Sequence, residues 1–117
     1  MFKRGDIFLA KLYPKKGNEV GKLRPVLIYQ TNFLNDCIHP TTIILPISTV
    51  LIEEAYPLRF RIESQDKLDF HSDILCDQIR AIDNSRIVGE RIARITSDEL
   101  LKIDKQIKII VGIDNEL

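Results

Sequence analysis

The apolar and polar positions change period once along this chain, and the change divides a strand-rich body from a terminal helix. "GDIFLAKLY" alternates loosely, meets the polar, Pro- and Gly-rich "PKKGNEVGK", and gives way to the dense β-branched run "RPVLIYQ", a pattern that predicts strand, long loop, strand. "TTIILPISTV" is a third strand, which Pro46 assigns to an edge or a bulge because proline brings no N–H to a ladder. In "PLRFRIE", Leu58, Phe60 and Ile62 alternate with Arg59, Arg61 and Glu63, the signature of a half-exposed strand. "SDILCDQIRAI" and "RIVGERIARI" supply two more, the second with Gly89 at a bulge. From Thr96 the period becomes helical. Thr96 and Glu99 have capping-box spacing, Leu100, Ile103, Ile107 and Ile110 recur on one face, and Gly112 is a stop signal. Several short strands and one helix predict a mainly β fold with α, a strongly bent antiparallel sheet or small barrel with the helix packed on it.

Composition narrows the setting. With 117 residues and 44% hydrophobic content the chain suits one domain, residues 1–117, built on one core. No apolar run approaches the roughly 18 residues of a membrane span, and charges stand where a signal peptide carries its apolar stretch, so a cytoplasmic protein with no membrane partner is expected. Cys37 and Cys76 are far apart and lack C-x-x-C spacing or a nearby His pair, so neither a redox motif nor a zinc site is indicated. The zero net charge conceals an asymmetry. Residues 1–30 hold seven basic side chains (Lys3, Arg4, Lys11, Lys15, Lys16, Lys22, Arg24) against Asp6 and Glu19; gathered on one face they can bind a polyanion even in a neutral protein, and a solvated positive edge is the alternative.

Candidate chemistry is restricted by what is missing. Gly17, Gly21 and Lys22 suggest a phosphate loop, but only three residues separate the glycines and Leu23 follows the lysine where a Ser or Thr is required. His39, beside a proline, and His71, in a polar turn, are lone histidines with surface-loop character, and no G-x-S-x-G, H-E-x-x-H or dinucleotide fingerprint occurs. Chemistry must therefore rest on arginine, hydroxyl and carboxylate groups. Arg24 opens a strand, since Pro25 biases its predecessor toward extended geometry, and Ser48 closes another. If those strands pair antiparallel, Arg24 and Ser48 meet at one edge, and a guanidinium fork beside a hydroxyl suits a phosphodiester. A rim arginine near a strand-end serine with no such role is the alternative.

The segments "KRGDIFLAKLYPKKGNEVGKLRPVLIYQ", "TTIILPIS" and "ILCDQIRAID" together resemble the MazF/PemK family of toxin endoribonucleases, the toxic halves of bacterial type II toxin–antitoxin pairs. The most specific parts are the G-x-E-x-x-x-x-R-P-V run from Gly17 to Val26 and Q-I-R-A-I-D from Gln78 to Asp83. The resemblance implies a small SH3-like (CcdB/PemK-type) barrel with a C-terminal helix. It also implies a homodimer that cuts single-stranded RNA at short sequences without metal or other cofactor, the ribose 2′-OH attacking to leave 2′,3′-cyclic phosphate and 5′-hydroxyl ends. On the matching motifs Arg24 is the catalytic arginine, and Ser48 occupies a position where many members carry threonine, a departure that keeps the hydroxyl but loses the methyl that restricts its rotamers. Glu19 matches the loop acid, and Gln78 and Arg80 match groove-lining positions.

Lys15, Lys16 and Lys22 of the glycine-containing loop would attract phosphates, and Tyr13 has the ring to stack on a splayed base, with packing against the barrel as the favoured alternative. A guanidinium gives up its proton too reluctantly to act as acid or base, so Arg24 suits stabilisation of the phosphorane's charge better than proton transfer. The family also implies an antitoxin whose acidic, disordered tail lies over the positive groove. Two other functions share the fold. A CcdB-like toxin binds gyrase through a C-terminal tryptophan, and this sequence has none; a non-catalytic RNA-binding member is hinted at only by Ser48.

Overall fold

The computed structural model describes residues 1–12, 23–37 and 39–115. In chain order these form β1 (Asp6–Lys11), β2 (Leu23–Ile28), a short helix α1 (Asn32–Asn35), β3 (Thr41–Ser48), β4 (Arg59–Ile62), β5 (Ser72–Leu75), β6 (Arg80–Asp83), β7 (Ile87–Arg94) and α2 (Ser97–Ile110). The sheet runs β4-β5-β3-β2-β1-β7 with every pairing antiparallel, and β6 pairs with β3 beside that path. The expected small barrel is left open between β4 and β7, where a backbone bond of 2.9 Å from the Lys67 N–H to the Ile92 carbonyl links the turn after β4 to the last strand. Among the described residues no helix is long and apolar enough to cross a membrane.

The continuous apolar runs are explained by burial on both faces of the sheet. Ile7, Leu27, Leu45, Ile47, Ile62 and Ile74 point to the side covered by α2, where Ile103 and Ile107 meet them. Phe8, Ala10, Val26, Ile28, Ile44 and Ile82 form a second cluster with Phe2 on the other side. The helix ends where its sequence signals stood. The Thr96 hydroxyl accepts from the Glu99 N–H (3.1 Å) while the Glu99 carboxylate accepts from the Thr96 N–H (2.9 Å). At the other end Gly112 adopts φ +81°, and the Ile113 and Gly112 N–H groups close on the carbonyls of Lys108 and Ile109, a Schellman arrangement. Gln106, buried, ties the helix to the sheet through bonds of 2.8 and 2.9 Å to the carbonyls of Pro57 and Arg59.

Two expectations need correction. "SDILCDQIRAI" is two strands, because a 3₁₀ turn at Cys76–Gln78 interrupts it. The register shows why: Ile47 pairs with Ile74 on β5 and Ile44 with Arg80 on β6, so three steps along β3 are matched by six along the other segment and the surplus loops out. Pro46 lies inside β3, a central strand, opposite Val26. It is tolerated there because β3 changes partner at that point, from β6 up to Ile44 to β5 from Ile47, leaving no ladder position that requires its N–H. Gly89 behaves as expected: with φ +73° it opens the irregular stretch in which the two steps from Ile7 to Leu9 span five from Ala93 to Val88. The helix α1 carries no expectation from the pattern, since its four residues are too short to express a helical period.

Candidate active site

Arg24 and Ser48 are brought together by the pairing of β2 with β3. Val26 faces Pro46 at the end of that ladder, and Arg24 and Ser48, each two residues beyond it, line one cavity. On the far side of β3 the looped-out turn Cys76–Gln78 and the start of β6 deliver Gln78 and Arg80 to the same rim. The four line one cavity of about 210 Å³, together with Pro46, Thr49 and Val50 among others. The gap in the β3 ladder is thus the feature that lets residues from β2, β3 and β6 surround one volume.

Within that cavity Arg24, Gln78 and Arg80 are exposed, and their side chains have no hydrogen-bond partner among the described residues. Two guanidinium groups with unused N–H donors on one rim form an anion site, since each fork matches a pair of phosphate oxygens. Ser48 is half-buried, and its Oγ accepts a 3.1 Å bond from the Val50 N–H. A hydroxyl has one hydrogen to donate besides its acceptor lone pairs, so this bond leaves the Ser48 O–H available to a ligand.

Ser48 also pairs across β3–β5 with Asp73, which lies at 1% exposure. Asp73 is saturated: its Oδ1 accepts from Arg61 Nε at 2.6 Å and its Oδ2 from Arg59 Nη1 at 3.2 Å and from the Ile52 N–H at 3.0 Å. Burial works to raise its pKa, but the bonds from Arg61, the Ile52 N–H and Arg59 outweigh it and hold the carboxyl below the usual carboxylate range. Both arginines continue outward to the chain after Ser48, Arg59 to the Val50 carbonyl (2.9 Å) and Arg61 to the Ile52 carbonyl (3.2 Å) and Glu53 (3.0 Å). The pattern "PLRFRIE" had marked Arg59 and Arg61 as solvent-facing and gave Asp73 no role. An aspartate inside the apolar run "SDILC", two arginines on one strand face, and the cost of burying an unpaired carboxylate together constitute a signal for this cluster.

Lys15, Lys16, Glu19 and Lys22, with Tyr13, lie outside the described residues. His39 and His71 take structural roles in loops: His39 Nδ1 contacts the Thr41 carbonyl at 2.8 Å, and His71 Nδ1 accepts from the Ser64 N–H at 2.9 Å. Cys37 is exposed and Cys76 buried, both as free thiols; burial, helped by Asp77, pushes the Cys76 thiol up to about 12. Among the described residues no group of three or more His, Cys, Asp or Glu side chains is placed to hold a metal ion. A larger cavity, about 760 Å³, runs along β1 and β7 between Phe2, Phe8 and Ile87; of its two carboxylates Asp6 is paired with Arg94 at 2.7 Å and Glu90 is exposed. Chemistry, not size, singles out the smaller one.

Residues 3–111 match the family of PemK-like, MazF-like toxins of type II toxin–antitoxin systems. The chain belongs to that family. It is 34% identical over 116 residues, 98% of its own length and 95% of the relative's, to the endoribonuclease MazF of Staphylococcus epidermidis. Among solved structures, the Mycobacterium tuberculosis toxin MazF-mt6 matches with a TM-score of 0.76 at 20% identity, covering 93% of this chain and 98% of that one. A MazE–MazF structure from Deinococcus radiodurans matches with a TM-score of 0.76 at 20% identity, covering 96% of each chain. These similarities extend over the sheet, the cavity and α2 alike, and the structural ones establish the MazF-type fold.

Proposed function

We propose that this PemK/MazF-like chain is the endoribonuclease toxin of a type II toxin–antitoxin system, a single toxin domain that cleaves single-stranded RNA at the cavity between β2, β3 and β6. The observation that carries the reading is the meeting of Arg24, Ser48, Gln78 and Arg80 around one small cavity, with guanidinium donors uncommitted among the described residues. A scissile phosphate held on the Arg24 fork has its non-bridging oxygens beside the Ser48 hydroxyl. The ribose 2′-oxygen attacks phosphorus, forming the 2′-O–P bond as the P–O5′ bond breaks. The 2′-hydroxyl proton leaves to water, and the departing 5′-oxygen takes one back from water. The products are a 2′,3′-cyclic phosphate and a 5′-hydroxyl.

RNA supplies the nucleophile, so the protein has two tasks: aligning the 2′-OH with the leaving oxygen, and stabilising the charge that builds on the phosphorane. Arg24 performs the second and Ser48 donates a hydrogen bond to the same oxygens. Gln78 and Arg80 hold the flanking RNA, and the loop residues Lys15, Lys16, Glu19 and Lys22 extend that surface. The protein acts as a homodimer. The positive rim also accepts the acidic, disordered tail of a cognate antitoxin, which excludes RNA while bound; the Deinococcus toxin has been solved as a MazE–MazF pair.

The test is incubation of the protein and of Arg24→Ala with a long mixed-sequence RNA in EDTA, followed by mapping of the cut ends. Discrete cuts bearing 5′-hydroxyl ends, made by the wild type and lost in Arg24→Ala, are expected. Cleavage that persists in Arg24→Ala removes the assignment of this cavity, and RNA binding without cleavage by the wild type favours a non-catalytic member.

A further inference from the structure

Ser48 carries a hydroxyl on a side chain with no second branch at Cβ, so nothing intrinsic restricts its χ1 as a threonine's methyl would. Its orientation must come from outside. Among the described residues the one bond to Oγ is the 3.1 Å bond from the Val50 N–H, which makes a short turn out of the end of β3. Val50 itself is 68% exposed, so packing does not hold it. What holds it is the other side of the residue: the Val50 carbonyl accepts a 2.9 Å bond from Arg59 Nη1. The same Nη1 reaches Asp73 Oδ2 at 3.2 Å, and Asp73, buried opposite Ser48 in the β3–β5 register, also receives the Ile52 N–H.

We infer that Arg59, anchored on Asp73, is a positioning residue for the RNA-cleaving reaction: it fixes the Val50 turn and thereby aims the Ser48 hydroxyl into the cavity. The inference rests on the cleavage proposed above. Arg59 is absent from the cavity lining and so acts through Val50, whereas Arg24 touches the cavity directly. Arg61 shares Asp73 with Arg59 at 2.6 Å but bonds the Ile52 carbonyl and Glu53 instead, further along the chain, so it steadies the cluster without gripping the residue that holds Ser48.

A purely structural role for Arg59 and a positioning role predict different kinetics. The experiment is a double-mutant cycle on a mapped RNA site, combining Arg59→Gln with Ser48→Ala and measuring kcat and KM of each folded variant. Arg59→Gln alone is expected to lower kcat roughly tenfold, the scale of one lost hydrogen bond, with KM changed by less than about twofold. In the Ser48→Ala background, where no hydroxyl remains to be aimed, the same change is expected to lower kcat by less than about twofold.

Should Arg59→Gln fail to fold, Arg59→Lys keeps a positive charge beside Asp73 but not the reach of Nη1 to the Val50 carbonyl, and the same split and the same non-additivity are expected. Equal losses in both backgrounds overturn the inference, as does full kcat in Arg59→Gln or a loss confined to KM, which would make Arg59 an RNA contact. A wild-type protein that cuts no RNA overturns the reaction itself, an outcome separate from wild-type cleavage with an unaffected Arg59→Gln.

Discussion

Arginines border the site in two settings that differ in what their donors do. At the cavity rim Arg24 and Arg80 are exposed, with no side-chain partner among the described residues. Behind β3, Arg59 and Arg61 converge on Asp73, and their donors are spent on that carboxylate and on the carbonyls of Val50 and Ile52. The same side chain thus serves in one place as a free fork for a ligand and in the other as a structural tie. What decides is the neighbouring carboxylate: a buried aspartate cannot be left unpaired, so arginines beside it are committed before any ligand arrives. Among the described residues the cavity lining carries no carboxylate, so the charge of its arginines is open to an anion. The division predicts that stability and activity separate by region.

The largest expected effect lies well away from the rim. Ile103, fully buried between α2 and the sheet, should cost about 2–5 kcal/mol of stability when changed to alanine, because the cavity it leaves refills only in part. Denaturant unfolding checks this. RNA cut positions mapped on the remaining folded protein should be unchanged, and an altered cut pattern would mean that the core and the site are not separable.

Next comes Ser48→Ala, which removes the hydroxyl proposed to stabilise the phosphorane's charge. It should lower the cleavage rate about a hundredfold while leaving the melting temperature close to that of the wild type. A variant that melts much earlier would turn Ser48 into part of the structural tie.

The smallest effect sharpens the other half of the comparison through pH. Asp73 has its carboxyl held below the ordinary value, so the stability it contributes is present above the unfolded carboxylate pKa of about 3.9 and is lost as pH falls through the lower folded value. Thermal melts of wild type and Asp73→Asn should therefore differ at neutral pH and converge in strong acid. A constant gap across that range would show that Asp73 contributes nothing through its charge.

How much of this was legible in the sequence depends on the range of the interaction. The helix was readable at both ends because Thr96, Glu99 and Gly112 act within one turn. The bulge at Gly89 was readable for the same local reason. Arg24 opposite Ser48 followed from assuming that two strands pair antiparallel, and the register supports that meeting. The break at Cys76–Gln78 was not readable, because it arises from β3 pairing with β6 and β5 in registers three residues apart, and nothing in "SDILCDQIRAI" alone reveals a change of partner. That break is what delivers Gln78 to the cavity; from the sequence, Gln78 and Arg80 entered only through family resemblance. Asp73 was hidden by its apolar neighbours, and Arg59 and Arg61 by an alternation that reads as solvent exposure until the buried carboxylate opposite is known.

The most direct test of the rim as the seat of chemistry is single-turnover cleavage of a mapped RNA site by Arg24→Lys, measured beside its melting temperature. Lysine keeps the charge and loses the planar fork. The account predicts a rate at least about a hundredfold below wild type with an unchanged melting temperature. Near-wild-type cleavage by Arg24→Lys would contradict it, leaving positive charge alone as all that the position supplies.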